Sequence, residues 1–466
     1  MVWAVGGKPV LRVCWWLGCP VECGWQGLRW LADVRLEGGE TVTAQDGAVA
    51  ERAAAGGRPI RVMIVGTGQL SQAMQALAPT DVVDLTVLGR AELDLADAAE
   101  VAAYGGFAAA DVVVCTAAFT QVDVAEDAAQ REQVWAVNAS APGLIAQACA
   151  EAGTALVHVS TDYVFGSRPL PEELAAPVGV DSPPPSPQDP QVRQVVDGLA
   201  FASADPVDPE AVYGISKAAG EQQVLAADPW HVVVRTAWLL SGEMLPGVRD
   251  FASTMCRLAR SGVSPKVVAD QWGSPTVVTD LAVALWQLVG RVALVRACGL
   301  PDLMDAPVCA PDAGRGMPVA DCSQAEHKPR IVAALAAMPP QRLARLACLV
   351  APGMGDREAA QVGDQWVRTQ CFDELAEQLA ATGGVLHAAG SEPATWFHVA
   401  AELFAALPGH AATVVPCTTA EYPTAAPRPA FSVLDSGKLT QLGITPPGGY
   451  RGQVSHLVGV APRPLG

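Results

Sequence analysis

Arg61-Val-Met-Ile-Val-Gly66-Thr-Gly68-Gln69-Leu70-Ser71 decides how this chain is read. A short apolar run ends in glycine, and a helical pattern over 69–77 follows at once. Strand, glycine turn and helix together form a unit whose backbone N–H groups and helix N-terminus can face a pyrophosphate. Gly66 and Gly68 let the backbone approach such a group closely. Ser71 stands where a third glycine would serve close packing, and the loop is one residue short. An ordinary strand–helix turn is an equal reading of these residues alone.

Further apolar runs follow at 81–88, 111–115, 155–160 and 231–235, with Ala-rich helical stretches at 134–152 and 216–227 between them. Strands that are continuously apolar and alternate with helices imply a parallel sheet covered on both faces. The expected fold class is therefore α/β, a doubly wound parallel sheet of the Rossmann type. The 466 residues suggest two to three domains, and half of them are apolar, ample for a sizeable core. With 30 Lys plus Arg against 48 Asp plus Glu, the formal charge is −18. Such a chain repels nucleic acid and anionic membrane surface, so neither is an expected partner. An anionic ligand would have to be held by local donors against that field. No apolar run of about 18 residues stands out, so no membrane span is expected.

Residues 1–59 read differently, as a poorly ordered N-terminal extension. Five of the twelve Trp fall in the first 30 positions, along with Cys14, Cys19 and Cys23. No pair at zinc-finger spacing follows these cysteines, and no metal ligands are assigned. Targeting to an organelle by this segment is left open; otherwise a cytoplasmic location is expected. The run Asp181-Ser-Pro-Pro-Pro-Ser-Pro-Gln-Asp-Pro190 makes 168–210 a Pro-rich, mobile loop. Residues 288–382, with helical pieces at 331–337, 341–349 and 372–381, read as an insertion of uncertain order.

Three features carry chemistry. Gly89-Arg90 follows the second strand, where an acid would normally meet a ribose 2′-hydroxyl. An Arg there can meet a 2′-phosphate instead, which favours NADPH over NADH; a solvated Arg is the alternative. Tyr213-Gly-Ile-Ser-Lys217 puts phenol and ammonium on one helix face. The ammonium is expected to lower the phenol pKa toward working pH, so that Tyr213 can exchange a proton with an alcohol oxygen. Ser160-Thr161-Asp162-Tyr163-Val164-Phe165 leaves the carboxyl end of the fourth strand, where open α/β sheets bind ligand, and Thr161 offers a hydroxyl to the same oxygen.

Taken with further ordered stretches, these features resemble a known family. The stretches are Ala117–Glu126, Val137-Asn138-Ala139, Ser160–Phe165, Tyr213–Glu221, Val234–Trp238, Phe251–Met255, Asp270-Gln-Trp-Gly-Ser-Pro-Thr276, Leu386–Gly390 and Glu421–Pro429. The chain is similar to the extended short-chain dehydrogenase/reductases and, within them, to the dTDP-4-dehydrorhamnose reductase family. That resemblance implies hydride transfer from NADPH, with NADH as second donor, to the C4 ketone of dTDP-4-dehydro-β-L-rhamnose. It implies Tyr213 as proton donor, Lys217 on the nicotinamide ribose, and Thr161 on the reacting oxygen. It places Gly66, Gly68, Gln69 and Leu70 on the cofactor phosphates, Asp94 and Leu95 near adenine, and Ala117, Ala118 and Thr120 beside the nicotinamide. Asp162 and Trp238 match substrate contacts, and Arg428 is either a phosphate partner or a structural Arg. The resemblance also implies 60–240 as cofactor domain, and 241–287 with 383–466 as a smaller C-terminal substrate-binding subdomain. Mg²⁺ at a subunit interface occurs in some bacterial members, and a homodimer is left open.

The chain departs from the family pattern at Ser71, at Cys115 and Phe431 (each in place of Asn), in its long 165–213 connection, and in the insertion before Gly384. Two alternatives follow from these departures. One is a dinucleotide-binding regulatory subunit like the beta subunit of methionine adenosyltransferase; the other is a reductase of a different nucleotide-linked 4-keto sugar.

Overall fold

The computed structural model describes residues 59–175, 184–297 and 382–461. Residues 1–58, the Cys14–Cys23 group and the helical pieces expected between 331 and 381 lie outside the described residues. Twelve strands follow in chain order: β1 (Ile60–Val65), β2 (Val83–Leu88), β3 (Val112–Cys115), β4 (Ala155–Thr161), β5 (Val232–Thr236), β6 (Leu239–Leu240), β7 (Lys266–Val268), β8 (Trp272–Gly273), β9 (Thr276–Val277), β10 (Gly384–His387), β11 (Ala394–Thr395) and β12 (Val415–Cys417). Six of them make one sheet in the order β10-β5-β4-β3-β1-β2, and every pairing in it is parallel. The Val-rich strands β3 and β5 are buried along their whole length because helices cover both faces.

One face packs against the helices Gln69–Ala76 and Val278–Ala297, through Ile64, Val114, Val157, Leu70, Met74, Leu285 and Val289. The other packs against Ala98–Ala103, Ala141–Glu151 and Val212–Ala227, through Met63, Val113, Leu156, Val101, Ile145 and Val224. The expected doubly wound α/β fold is the one observed. β2 lies on one side of β1 and β3 on the other, so the crevice at their carboxyl ends is the topological switch point. A second core joins the helices Phe251–Arg260, Trp396–Ala406 and Val454–Leu457 through Met255, Leu403, Tyr450 and Leu457. The short pairs β6·β9, β7·β12 and β8·β11 hold this region beside the sheet ends.

Four expectations change. The segment boundary at 288 falls inside the helix Val278–Ala297, whose Leu288, Val289, Val292 and Leu294 belong to the main core. The Trp286 indole donates to the Met74 carbonyl at 3.0 Å, tying this helix to the first one. An apolar run does exist there: Val278–Arg296 has a mean hydropathy of 1.6, but 89% of it is buried inside the protein, as befits a core helix. β10, expected in the substrate subdomain, completes the main sheet beside β5. Finally, the Pro-rich connection contains a helix, Pro190–Leu199, started by the Asp189 carboxylate on the Gln191 N–H at 2.8 Å and packed through Val192 and Val196.

Candidate active site

β1 ends at Gly66, whose φ of +120° only glycine adopts readily. A Cβ there would lie 2.7 Å from Thr116 Oγ1 and 2.8 Å from the Ala117 N, so the turn is pressed against the end of β3. Gly68 starts the helix Gln69–Ala76 without any side-chain cap, and a Cβ on it would meet nothing within 4 Å. Free N–H groups therefore face open space at a helix N-terminus. The Gln69 Oε1 beside them is buried without a partner.

This turn is one end of a cavity of about 710 Å³. Gly66, Gly68, Gln69, Leu70, Arg90, Asp94, Leu95, Ala117, Ala118, Thr120, Thr161, Asp162, Tyr213, Lys217 and Trp238 all line it. Of the residues singled out in the sequence, only Arg428 is not brought into the cavity. Its guanidinium donates to Asp123 Oδ2 at 2.7 Å through Nη2 and lies 5.9 Å from the Tyr163 ring, while its Nη1 is buried with no partner among the described residues. Asp123 Oδ1 also accepts from the Ala426 N–H at 3.0 Å, so this pair ties two distant segments together.

Tyr213 and Lys217 share the inner face of the helix Val212–Ala227, both buried. The close approach of this helix depends on small residues: a Cβ on Gly220 would lie 2.2 Å from the Asn138 carbonyl oxygen, and one on Gly214 2.0 Å from that of Tyr163. Glu221 accepts a two-pronged guanidinium from Arg235 of β5 (2.7 Å) and the Ser160 hydroxyl of β4 (2.5 Å), all three residues buried. The Lys217 Nζ donates to the Val159 carbonyl at 2.8 Å and sits 3.0 Å from His158 Nε2. Burial holds Lys217 down at about 8 and keeps His158 neutral, so the imidazole accepts from the ammonium.

The expected lowering of the Tyr213 pKa is corrected. Burial pushes the phenol up to about 12, and the opposing influence is a hydrogen bond with Thr161, because Lys217 is turned toward β4. Tyr213 is thus a protonated phenol at neutral pH. The Thr161 hydroxyl donates to Asp162 Oδ1 at 3.0 Å and accepts from the Tyr163 N–H at 3.2 Å. A hydroxyl has one proton to give, so Thr161 must turn it away from Asp162 to reach a ligand. The second Asp162 oxygen accepts from Ser432 at 2.7 Å, and burial pushes its carboxyl up to about 6.

At the adenine end, Arg90 is exposed and pairs with Asp94 at 3.3 Å. Glu92, three residues past the strand turn, folds back so that its Oε2 accepts from the Gly89 N–H at 2.8 Å. Sequence reasoning missed three further contributors. Asn138 sits in a π-helical turn, Ala136–Ser140, and joins the Phe119 backbone (2.8 and 3.1 Å) to Ser216 of the helix Val212–Ala227 (3.1 Å). Trp396 stacks on Trp238 with centroids 3.8 Å apart. Arg249 lines the far end of the cavity. The Asn138 match was visible as Val137-Asn138-Ala139, whereas Trp396 and Arg249 carried no local signal. Among the described residues no group of three or more His, Cys, Asp or Glu could hold a metal ion.

The parallel sheet, the uncapped glycine turn at its switch point and the Tyr213–Lys217 helix define a dinucleotide-binding protein of the short-chain dehydrogenase/reductase class. More particularly, the family described as RmlD substrate binding domain matches residues 60–299 and 366–461, and the chain belongs to it. The dTDP-4-dehydrorhamnose reductase of Mycobacterium tuberculosis (strain ATCC 25618 / H37Rv) is 39% identical over 238 residues, which is 50% of this chain and 66% of that protein. Its counterpart in Mycolicibacterium smegmatis (strain ATCC 700084 / mc(2)155) is 38% identical over 230 residues, 49% of this chain and 60% of that one. The matches thus span less than two thirds of these relatives. In structure, the Bacillus anthracis dTDP-4-dehydrorhamnose reductase in complex with NADP superposes with a TM-score of 0.55 at 21% identity, covering 87% of this chain and all of that one. The Clostridium acetobutylicum enzyme gives 0.54 at 22% identity, covering 86% and 99%. These two show the fold.

Proposed function

We propose that the chain reduces the C4 ketone of dTDP-4-dehydro-β-L-rhamnose to dTDP-β-L-rhamnose with NADPH. One observation carries this reading: a single cavity runs from the uncapped glycine turn to Thr161, Tyr213 and Lys217. The names of the mycobacterial relatives support the choice of sugar and nucleotide. Gly66, Gly68, Gln69 and Leu70 would hold the cofactor phosphates through N–H groups and the helix N-terminus. Ala117, Ala118 and Thr120 would flank its reactive ring, and Lys217 would reach its ribose. NADPH, when bound, supplies the hydride.

The residues supply the rest. Trp238 offers an apolar face to the sugar, and Thr161 turns its hydroxyl proton from Asp162 to the ketone oxygen. Tyr213, protonated at neutral pH, gives its proton to the ketone oxygen as negative charge develops there. The positions of Thr161 and Tyr213 on rigid elements make this a positioned transfer rather than an encounter.

The test is the absorbance loss of NADPH with dTDP-4-dehydro-β-L-rhamnose, for the unmodified chain and for Tyr213→Phe. Turnover that falls by about 100-fold or more in the variant, with NADPH still bound, is expected. Unchanged turnover would remove Tyr213 as the acid. Turnover only with another nucleotide-linked 4-keto sugar would change the substrate, and cofactor binding without turnover of any such sugar would refute the reductase.

A further inference from the structure

The lining of the cavity includes Trp238, Leu239, Val248, Arg249 and Trp396. Five charged residues line the whole cavity: Arg90, Asp94, Asp162, Lys217 and Arg249. Arg90 and Asp94 neutralise each other. Lys217 is buried against Val159 and His158 and has its place on the cofactor ribose, and Asp162 is an anion bonded to Thr161 and Ser432. Arg249 alone among them is an exposed charge with no hydrogen bond or ion pair to any described residue.

Its place in space is nonetheless fixed. The next residue, Asp250, caps the helix Phe251–Arg260 with Oδ1 on the Ser253 N–H (2.7 Å) and receives the Ser253 hydroxyl on its own N–H (2.9 Å). Its other oxygen accepts the Ser241 N–H (2.5 Å) and the Gly242 N–H (3.0 Å). Four hydrogen bonds therefore anchor the backbone that carries Arg249, while its guanidinium has no partner among the described residues. In a chain of net charge −18, most cations find a carboxylate, and one held at a cavity wall without any is poised for an anion from outside. The planar guanidinium fork matches phosphate oxygens two at a time.

We propose that Arg249 binds the diphosphate of the nucleotide-linked substrate, and so selects nucleotide sugars over free ones. This rests on the reading that the substrate is a nucleotide-linked sugar. It also gives the phosphate role to Arg249 in place of Arg428, which Asp123 already occupies.

The probe is dTDP itself, titrated calorimetrically into the full chain with NADPH present, for the unmodified protein, Arg249→Gln and Arg249→Lys. Arg249→Gln is expected to weaken dTDP by about ten- to a hundredfold, the loss typical of a charge-assisted contact. Its dTDP affinity should also fall less steeply with added salt, while NADPH affinity is unchanged. Arg249→Lys should recover part of the affinity. In turnover, KM for the nucleotide sugar should rise with kcat within about twofold, the signature of lost ground-state binding. Equal dTDP affinity in the unmodified chain and Arg249→Gln would overturn the assignment and leave the reductase reading standing. No dTDP binding and no nucleotide-sugar turnover by the unmodified chain would overturn both.

Discussion

Replacing Asp162 by Asn isolates what it costs to bury a carboxyl in the wall of the cavity. Asp162 is 2% exposed, and burial raises its pKa from 3.8 to about 6 despite the hydroxyls of Thr161 and Ser432. The unfolded chain releases this proton near 3.8 and the folded one near 6. Between those values the folded state binds more protons, so stability falls as pH rises through the window and levels off above about 6. About two pH units at 1.36 kcal/mol each amount to about 3 kcal/mol. Asn cannot ionise, so Asp162→Asn lacks that slope. The hydrogen bonds it weakens shift its stability by an amount that does not depend on pH. The assay is urea denaturation followed by Trp fluorescence, for both proteins, from pH 4 to 7.5. The variant should gain about 2–3 kcal/mol relative to the unmodified chain across that range. A difference that is flat in pH, or that shrinks as pH rises, would refute the reasoning that burial dominates this carboxyl.

Gly220→Ala should push the helix Val212–Ala227 off Asn138, because its Cβ would stand 2.2 Å from that carbonyl oxygen; turnover should fall about tenfold or more, since small misplacements of catalytic groups are costly, as steady-state rates would show. Glu221→Gln leaves the Arg235 guanidinium buried without its charge partner and should lose about 3–5 kcal/mol of stability in denaturant titration. Arg90→Ala should raise KM for NADPH by about tenfold and leave that for NADH alone, because only the former carries a 2′-phosphate, which comparison of the two cofactors checks. Gly273→Ala places a Cβ 2.3 Å from the Trp238 ring and should displace that indole, seen as a changed Trp emission and a higher KM for the sugar with NADPH affinity kept.

Most of the sheet was legible because central strands such as β3 and β5 are local apolar runs, and a strand buried on both faces needs no partner information to be recognised. Gly66, Gly68, Thr161, Tyr213 and Lys217 were legible for the same reason: strand ends and helix starts fix where they point. What was not legible depends on distance in the chain. β10 follows β5 by 148 positions, so its place in the sheet could not be read from a four-residue run. The helix Val278–Ala297 was cut at 288 because Gly290 and Arg291 interrupt its apolar pattern, yet both continue one core helix. The Tyr213 pKa was misjudged because spacing places Lys217 on the same helix face but does not say which way its ammonium turns.

The two arginines show where that limit bears on function. In the sequence, Arg428 stands in a Pro-Arg-Pro run at the end of a family stretch, and Arg249 stands in an unremarked loop. Spacing alone favours the first. Folding changes the order, since Asp123, over 300 residues upstream, is brought 2.7 Å from one amino group of Arg428, which does not line the cavity. No carboxylate is brought to Arg249, although Asp250 is its immediate neighbour, because that carboxylate is consumed by four backbone and hydroxyl donors. A charge becomes available for a ligand only when the fold has given its natural partners other work. That condition is set by tertiary contacts across hundreds of residues, and among the charged residues that line this cavity it singles out Arg249.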